Sequence, residues 1–563
     1  MTLKTVKLSK IDYWFLLTIL AIVALVLFRV CNNDFTNWDD DLYVLNNESI
    51  KNISIENIKI FFTSFQVGLY TPLTLLSYAV DYKVYQLNPF GYHLTNLVIH
   101  LLNSALVFVL ILKIVGNRWS ATIVTLLFAI HPLNVETVAW ISSRKDLLFS
   151  FFYLSGLIWY INYLTSKNVK LLYLTFLMFV FSSLSKPTAL TFPAVLIVLD
   201  YYYYNKITLN FFLNKIHYFL ISGALFASGL ISALRVNPFD VEPFGYTILE
   251  KIVLALYSLG YYLFHAIFPH NLTNFHAYPY KGNNIINMEY WIGAIIVIAI
   301  ISLVIKYRKK AFYYFLGIML FFMVIGPVIR VIPSGYPIVA ERYFYLASTG
   351  LFMFIVVIIT AFKKHDTIKY VSIFVFLFVI LAFAKINNDR ISDWKNSITL
   401  WKSTIKVNPN LYFAYMKLGD AYADAGRIEN AVIEYHNSLK IYEENDYVYN
   451  ALGNIYFEAG NEKTAKNHFT KSIEYNPKSH ISYFNRGNVY KQQGAYQEAL
   501  QDYNIVLSLD SSLAPAFNNR GLVKIFLGDS IEAYKDLEKA KILQPQNKMF
   551  NDNFSRLKNL LNK

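Results

Sequence analysis

Three adjacent carboxylates follow the first apolar run of the chain. Asp39, Asp40 and Asp41 come a few residues after the run 13–30. Three neighbouring negative charges repel one another unless a cation or a positively charged group lies close to them. Clustered carboxylates suit two tasks, a general base beside a hydroxyl nucleophile or a cradle for a divalent metal ion. An acidic flank where a helix leaves a membrane is the structural alternative, and the triplet alone does not separate the three.

Further charged and hydrogen-bonding residues stand at the ends of later apolar runs. They lie in the stretches His131–Glu136, Ser142–Asp146, Ser185–Thr188 and Ala340–Tyr343. Taken singly, each stretch is explained by helix caps, turns or anchors at the lipid headgroups. Taken together, they supply carboxylates, ammonium groups and guanidinium groups to one membrane face. A lipid-linked phosphosugar requires such a set, with cations for the phosphate and a carboxylate to activate the acceptor.

The composition describes a membrane protein with a soluble tail. The 563 residues are 55% apolar and only 16% charged, whereas soluble domains are about a quarter charged. The net charge of +14 arises mostly from Lys and Arg that lie among apolar runs in residues 1–386. This distribution argues against a nucleic-acid partner, because no basic soluble face is formed. The single cysteine, Cys31, excludes an intrachain disulfide.

The apolar runs predict a polytopic bundle of membrane helices. After the retained signal anchor at 13–30, the runs are 93–112, 119–130, 147–164, 169–185, 188–204, 216–234, 250–268, 290–305, 311–329, 346–362 and 368–385. Loops rich in Lys and Arg are placed in the cytoplasm by the positive-inside rule. They fall on one side only if 250–268 is re-entrant or interfacial. We therefore expect about 11 spans, a cytoplasmic N-terminus and an external C-terminus, with 119–130 crossing through a kink at His131-Pro132.

Residues 410–545 repeat with a period of 34. The glycines Gly419, Gly453, Gly487 and Gly521 are in register, and a second glycine follows each of them by seven residues. Small residues let two antiparallel helices approach closely, and the second glycine suits the turn between them. The pattern resembles four tetratricopeptide repeats. The domains predicted are thus a transmembrane domain (1–386), a linker with a half-repeat helix (387–409), the four repeats (410–545) and a capping helix (546–563).

Four asparagines of the repeats are candidate acceptor-binding residues. Asn450, Asn454, Asn488 and Asn518 fall on first helices of the repeats, where side-chain amides can bind an extended peptide backbone without regard to its sequence. Ordinary solvated polar side chains are the alternative, since asparagine is common throughout the chain.

The polar stretches of the membrane half resemble those of a known family. The runs Asn37–Asp40, Tyr70–Thr74, Asn88–His93, His131–Asp146 and Ala340–Tyr343 are similar to those of the transmembrane and tetratricopeptide repeat-containing O-mannosyltransferases and their prokaryotic relatives. The resemblance covers nearly the whole chain. It implies an all-α GT-C glycosyltransferase fold and a polyprenyl-phosphate sugar donor. It also implies transfer of mannose or another hexose to Ser or Thr hydroxyls of acceptor proteins outside the cytoplasm.

The resemblance also implies roles for individual residues. An acidic residue of the first external loop is catalytic in that family, which makes Asp39 the expected general base and Asp40 a supporting or metal-binding residue. Arg144 and Lys145 would hold the donor phosphate, with Arg342 assisting. The supporting residues would be His93, His131, Glu136, Lys186 and Glu341. A divalent cation is an open possibility, and a prokaryotic cytoplasmic membrane is the expected location because the chain has one cysteine.

Two other functions compete with the enzyme. In the first, the membrane helices only anchor a tetratricopeptide-repeat scaffold for protein–protein interaction, which leaves the external cations and the acid triplet without a purpose. In the second, the chain is a transporter, for which ionisable residues at mid-bilayer depth are expected. Here the ionisable residues gather at the ends of the apolar runs instead.

Overall fold

The computed structural model describes residues 8–235, 246–278, 287–307, 312–329, 337–361 and 366–561. Within them the chain is almost entirely α-helical and forms two compact units, Met1–Val407 and Asn408–Lys563. The expected all-α class, with membrane helices followed by a helical-repeat solenoid, is confirmed.

The first unit is built from seventeen helices among the described residues. They are α1 (Lys10–Leu27), α2 (Ile55–Thr63), α3 (Pro72–Tyr85), α4 (Pro89–Val115), α5 (Arg118–Ala129), α6 (Val135–Ala139), α7 (Arg144–Ser166), α8 (Lys170–Ser185), α9 (Phe192–Tyr204), α10 (Leu209–Leu213), α11 (Ile216–Arg235), α12 (Ile248–His265), α13 (Met288–Tyr307), α14 (Phe312–Ile325), α15 (Phe344–Ala361), α16 (Asp366–Asp393) and α17 (Ser397–Val407). Short 3₁₀ turns at Pro132–Asn134, Ile141–Ser143 and Glu341–Tyr343 precede α6, α7 and α15.

Four segments are long and apolar enough to cross a membrane. They are Lys10–Asn32, Pro89–Val115, Ile141–Ser166 and Glu341–Thr360. A fifth crossing is formed if Arg118–Ala129 and Pro132–Ala139 count as one span, bent by 53° at the break that contains the His131-Pro132 pair. Shorter apolar helices are Lys170–Ser185, Ile216–Gly229, Met288–Ser302 and Leu316–Val328. The chain is a polytopic membrane protein, and the total of 11 spans and their sidedness stay predictions.

Two local features fix the position of the start of α15: a close helix–helix contact and a two-stranded ribbon. Gly317 of α14 and Gly350 of α15 let the two backbones touch, since a Cβ on Gly350 would lie 2.6 Å from the Gly317 carbonyl oxygen. Before α15, strand β2 (Pro337–Val339) pairs antiparallel with β1 (His276–Ala277). The turn that carries Glu341 and Arg342 is therefore fixed between a helix pair and a two-stranded ribbon.

The second unit is a stack of helix pairs. Its helices are α18 (Tyr412–Asp424), α19 (Ile428–Ile441), α20 (Asp446–Glu458), α21 (Glu462–Tyr475), α22 (His480–Gln492), α23 (Tyr496–Leu509), α24 (Ala514–Phe526), α25 (Ser530–Leu543) and α26 (Lys548–Leu561). Gly453 lies under the ring of Phe469, which a Cβ would meet at 2.5 Å. The four turn glycines have φ of 70–86°, a conformation that side chains disfavour. The repeat prediction is confirmed.

The structure divides the chain at residue 407. Residues 387–409, which the sequence suggested as a linker with a half-repeat helix, contain the end of α16 and all of α17. Both helices belong to the first unit.

Candidate active site

The first loop is fastened to the turn before α7 by the carboxylate of Asp40. This side chain is 1% exposed. One oxygen accepts hydrogen bonds from the backbone N–H and the hydroxyl of Thr36, at 3.0 and 2.9 Å. The other accepts from the backbone N–H and the hydroxyl of Ser142, at 2.9 and 2.5 Å. Both oxygens are therefore occupied by the protein itself, so that Asp40 joins two segments that are 102 residues apart.

Burial determines the protonation of Asp40. It raises the pKa of Asp40 from the ordinary 3.8 to about 6, because a desolvated carboxylate is unfavourable. The hydrogen bonds from Ser142 and Thr36 act in the opposite direction and stabilise the ionised form.

Asp39 is presented beside this junction. It is half-buried and has φ of 67°, a left-handed conformation that is uncommon for a residue with a Cβ. Its carboxylate acts electrostatically on Lys145 and on Tyr43. Asp39 is thus close enough to Lys145 and Tyr43 to act on both electrostatically, while its neighbour Asp40 is buried.

Arg144 is completely enclosed by protein groups. Its guanidinium forms an ion pair with Asp81 at 2.7 Å and donates to Asn96 Oδ1 at 2.5 Å. It also donates to the Tyr92 carbonyl at 2.8 Å and lies over the Tyr78 ring. With 0% exposure, Arg144 connects the start of α7 to α3 and α4. This geometry does not favour the phosphate contact that the resemblance led us to expect of Arg144.

Three other cations surround the start of α7. The Lys145 ammonium lies 4.5 Å from the centre of the Tyr43 ring and 5.1 Å from that of Trp140. Among the described residues, no carboxylate lies within ion-pair distance of it. Lys186 is paired with Asp146, and Arg342 donates to Glu136 Oε1 at 2.8 Å. These cations interact electrostatically with one another, since Arg342 and Lys186 both act on Lys145.

A small cleft opens next to these cations. Its polar wall contains Asp146, Lys186 and Arg342, and its other walls are mainly apolar. The residues of those walls are Phe149, Ser150, Thr188, Val324, Val328, Tyr343, Tyr345 and Leu346. The cleft therefore combines two cationic side chains with apolar surface from α7, α14 and α15.

Glu341 and His131 fix the surrounding segments. Glu341 is fully buried, pairs with Arg390 at 2.9 Å and accepts the backbone N–H of Thr273 at 2.8 Å. His131 has both ring nitrogens engaged, Nδ1 by the Leu133 N–H at 3.2 Å and Nε2 facing the Ala266 carbonyl at 3.2 Å. These contacts give both residues a role in holding segments together.

His93 and Glu136 complete the expected supporting set. His93 is 1% exposed and lies against the backbone of Asn33 and Asp34. Glu136 is the ion-pair partner of Arg342. Of the two, only Glu136 therefore contacts a cation of the cleft.

The sequence did not single out Asp81, Ser142 or Arg390 as partners of these groups. Asp81 is an isolated acid in an apolar helix, which is a signal for a buried cation, but the sequence does not say which one. Within the parts of the chain that the structure describes, no group of three or more His, Cys, Asp and Glu side chains is arranged to hold a metal ion. The carboxylate triplet is not such a cradle, because Asp40 is committed to Thr36 and Ser142.

The asparagines of the repeats form a ladder of side-chain amides. Asn485 donates to Asn450 and to Asn454, both at 3.0 Å. Asn519 donates to Asn488 at 2.8 Å, and Asn553 donates to Asn518 at 2.8 Å. The four predicted asparagines are thus lined up along successive first helices, with their carbonyl oxygens accepting from the next helix of the ladder.

Family models agree with the repeats of the second unit. Family models for the tetratricopeptide repeat match residues 414–445, 447–479 and 480–513. Among solved structures, the crystal structure of MamA protein is similar at 24% identity over 27% of this chain and 82% of that one, with a TM-score of 0.25. The chain is thus a polytopic membrane protein that carries tetratricopeptide repeats.

The relatives of the chain are protein O-mannosyl-transferases. Protein O-mannosyl-transferase F38B6.6 of Caenorhabditis elegans is 24% identical over 65% of this chain and 53% of its own length. Protein O-mannosyl-transferase TMTC3 of Mus musculus is 24% identical over 64% of this chain and 43% of its own. The chain spans about half the length of these curated relatives. The resemblance to the transmembrane and tetratricopeptide repeat-containing O-mannosyltransferases is confirmed.

The pKa of Asp40 predicts how stability depends on pH. Because the pKa of Asp40 is higher in the folded state, the folded chain binds the Asp40 proton more tightly than the unfolded chain does. The stabilisation that this proton provides is fully present below pH 3.8 and is lost as pH rises through 6. The free energy of unfolding should therefore fall by about 3 kcal/mol over this window and then level off. Thermal unfolding of the detergent-solubilised chain from pH 4 to 8 measures it, and Asp40→Asn should remove this component. An equal slope in the variant would contradict the assignment.

Proposed function

We propose that this chain is a membrane glycosyltransferase. It transfers mannose or another hexose from a polyprenyl-phosphate donor to Ser and Thr hydroxyls of proteins outside the cytoplasm of a prokaryotic cell. The observation that carries the proposal is the cleft with its cationic and apolar walls, together with Lys145, on which Asp39 and the cleft residues Arg342 and Lys186 all act electrostatically. The names of the relatives support the reaction class.

The cleft suits the two chemical parts of such a donor. Lys186 and Arg342 can bind the phosphate, since charge-assisted hydrogen bonds from ammonium and guanidinium groups are strong and geometrically specific. Phe149, Val324, Val328 and Leu346 offer apolar surface to the isoprenoid chain. Both cations have carboxylate partners, Asp146 and Glu136, that hold them in place before the donor arrives.

The reaction is an inverting displacement at the anomeric carbon. The acceptor oxygen forms a bond to that carbon while the bond from carbon to the donor phosphate oxygen breaks. The hydroxyl proton passes to the Asp39 carboxylate, and the leaving polyprenyl phosphate retains the electron pair. Negative charge develops on the phosphate during transfer, and the preorganised cations stabilise it more strongly in the transition state than in the ground state.

In this proposal the remaining residues have supporting roles. Lys145 couples the base to the donor cations, because both Asp39 and the pair Arg342 and Lys186 act on it electrostatically. Asp40 and Arg144 position Asp39 and the start of α7, since the groups that would contact substrate are taken up by protein partners.

Replacing Asp39 tests whether it is the general base of the proposed glycosyltransferase. Asp39→Asn should lower kcat/KM for transfer by about 10²-fold or more, because the amide cannot take the acceptor proton. The measurement uses the purified full chain, synthetic polyprenyl-phosphate mannose and a peptide rich in Ser and Thr. Glu48→Gln, at an exposed carboxylate of the same loop, is the control and should leave the rate unchanged. Unaltered transfer by a folded Asp39→Asn protein would refute the base, and its absence in the wild type would favour a scaffold.

We also propose that the amide ladder of the repeats binds the acceptor. Asn450, Asn454 and Asn488 are half-buried, whereas Asn518 is buried. Half-buried amides spaced along one run of helices can pair with the backbone of an extended peptide, which makes binding tolerant of sequence. Acceptors of varied sequence around the modified Ser or Thr would then be accommodated.

Acceptor binding by the ladder is tested by kinetics. The double change Asn454→Leu and Asn488→Leu should raise the acceptor KM about 30-fold, by removing two hydrogen bonds of about 1 kcal/mol each. The donor KM and kcat should not change. Asn437→Leu on α19, a second helix, is the matched control. An acceptor KM that is identical in all three proteins would contradict the role of the ladder.

A further inference from the structure

A cluster of tryptophans lies beneath the loop that presents Asp39. Trp38 stacks on Trp140 with ring centres 6.2 Å apart and meets Trp401 edge-on at 5.4 Å. Trp140 stacks in turn on Trp394 at 6.0 Å. Trp140, Trp394 and Trp401 are at most 1% exposed. The cluster joins three parts of the first unit: the first loop, the turn before α7, and the region from the end of α16 to α17.

Helix α17 is bonded directly to the residues before Asp39. The indole N–H of Trp401 donates to Asn37 Oδ1 at 2.6 Å, and the Asn37 backbone N–H donates to the Ser397 hydroxyl oxygen at 2.9 Å. The next residue is held from another side, since the Trp140 indole N–H donates to the Trp38 carbonyl at 2.6 Å. Side chain and backbone of Asn37 are thus both engaged by α17, two residues before the base.

The chain is fastened at a second point nearby. The Asp34 backbone N–H donates to the Lys395 carbonyl at 2.8 Å, and the Asn33 side-chain amide donates to the Ile391 carbonyl at 3.1 Å. The whole approach to the first loop therefore runs along the end of α16 and the start of α17.

Asp39 is held from both sides. Its backbone is left-handed, with φ of 67°, a conformation that Asp tolerates better than most residues with a Cβ but that remains less favourable than the common regions. Asp40 is held downstream by Ser142, and Asn37 and Trp38 are held upstream by Trp401, Ser397 and Trp140. Loss of the upstream bonds weakens this restraint and allows the Asp39 carboxylate to change direction.

We infer that α17 is a positioning element of the active site, and that Trp401 and Ser397 are positioning residues for Asp39. The inference rests on the proposed function, because it takes Asp39 to be the base. Helix α17 ends at Val407, and the first repeat helix begins at Tyr412. The chain therefore enters the repeats directly from the element that orients the base, which gives α17 a task beyond that of a linker.

Kinetics of three variants test this inference. Ser397→Ala removes the hydroxyl that accepts the Asn37 N–H, Trp401→Phe removes the indole donor but keeps an aromatic ring, and Ser397→Thr restores a hydroxyl. The first two should lower kcat roughly 10- to 100-fold, as expected for a misplaced catalytic group. The KM values for polyprenyl-phosphate mannose and for the acceptor peptide should stay within about twofold. Ser397→Thr should recover most of kcat.

The controls separate positioning from general loss of structure. Trp119→Phe changes an exposed tryptophan that packs on Phe15, and it should leave kcat unchanged. Thermal midpoints are measured for each protein, and the expected kcat loss applies to the folded fraction. Unchanged kcat in both Ser397→Ala and Trp401→Phe would overturn the inference. It would also be overturned by a raised acceptor KM at normal kcat, or by failure of Ser397→Thr to recover activity.

The activity of Asp39→Asn, measured in parallel, distinguishes the assignment of Asp39 as the base from the positioning role of α17. An inactive Asp39→Asn with fully active α17 variants refutes the positioning role and leaves the base assignment intact. An active Asp39→Asn refutes the base assignment, whatever the α17 variants do.

Discussion

The buried carboxylate of Asp40 is the constraint on which the site depends. Four donors from Thr36 and Ser142 converge on it and close the first loop onto the turn before α7. The junction holds the first loop against the turn before α7, where the Asp39 carboxylate acts electrostatically on Lys145. Burial of the Asp40 carboxylate is unfavourable by itself, and the four donors offset this cost in part, which leaves its pKa raised to about 6. One residue of the acid triplet is thus used for structure, which leaves Asp39 at the surface of the site.

The cations near the site fall into two groups: some are fully enclosed by protein partners, and others also line the cleft. Arg144 and Arg390 are enclosed by carboxylates, carbonyls and an amide, so that each joins segments which would otherwise have unpaired buried charges. Lys186 and Arg342 have one carboxylate each and also face the cleft. For this reason Lys186 and Arg342, and not Arg144, are the phosphate ligands in the proposed function, a distinction that residue type alone does not contain.

The sequence predicted the parts that depend on local pattern. The period of 34 and its glycines indicated the repeats, and the His131-Pro132 pair marked a kink that the structure places at a 53° bend. The roles of individual charges were not predictable, because they depend on pairings such as Asp81 with Arg144, which lie 63 residues apart. Likewise, the sequence indicates a half-repeat helix within 387–409, but nothing in residues 397–407 predicts the contact of Trp401 with Asn37. Tertiary contacts of this kind carry no local signal.

The central claim is that the donor phosphate lies between Lys186 and Arg342, with its isoprenoid along α7, α14 and α15. A polyprenyl-phosphate mannose analogue with a photoreactive group on its first isoprene unit tests this most directly, by mass-spectrometric mapping of the labelled residues. Labelling is expected at Phe149, Val324, Val328 or Leu346, and it should be competed by unmodified donor and lost in Lys186→Gln. Competable labelling confined to the other end of α7, around Tyr160–Ser166, would contradict the account.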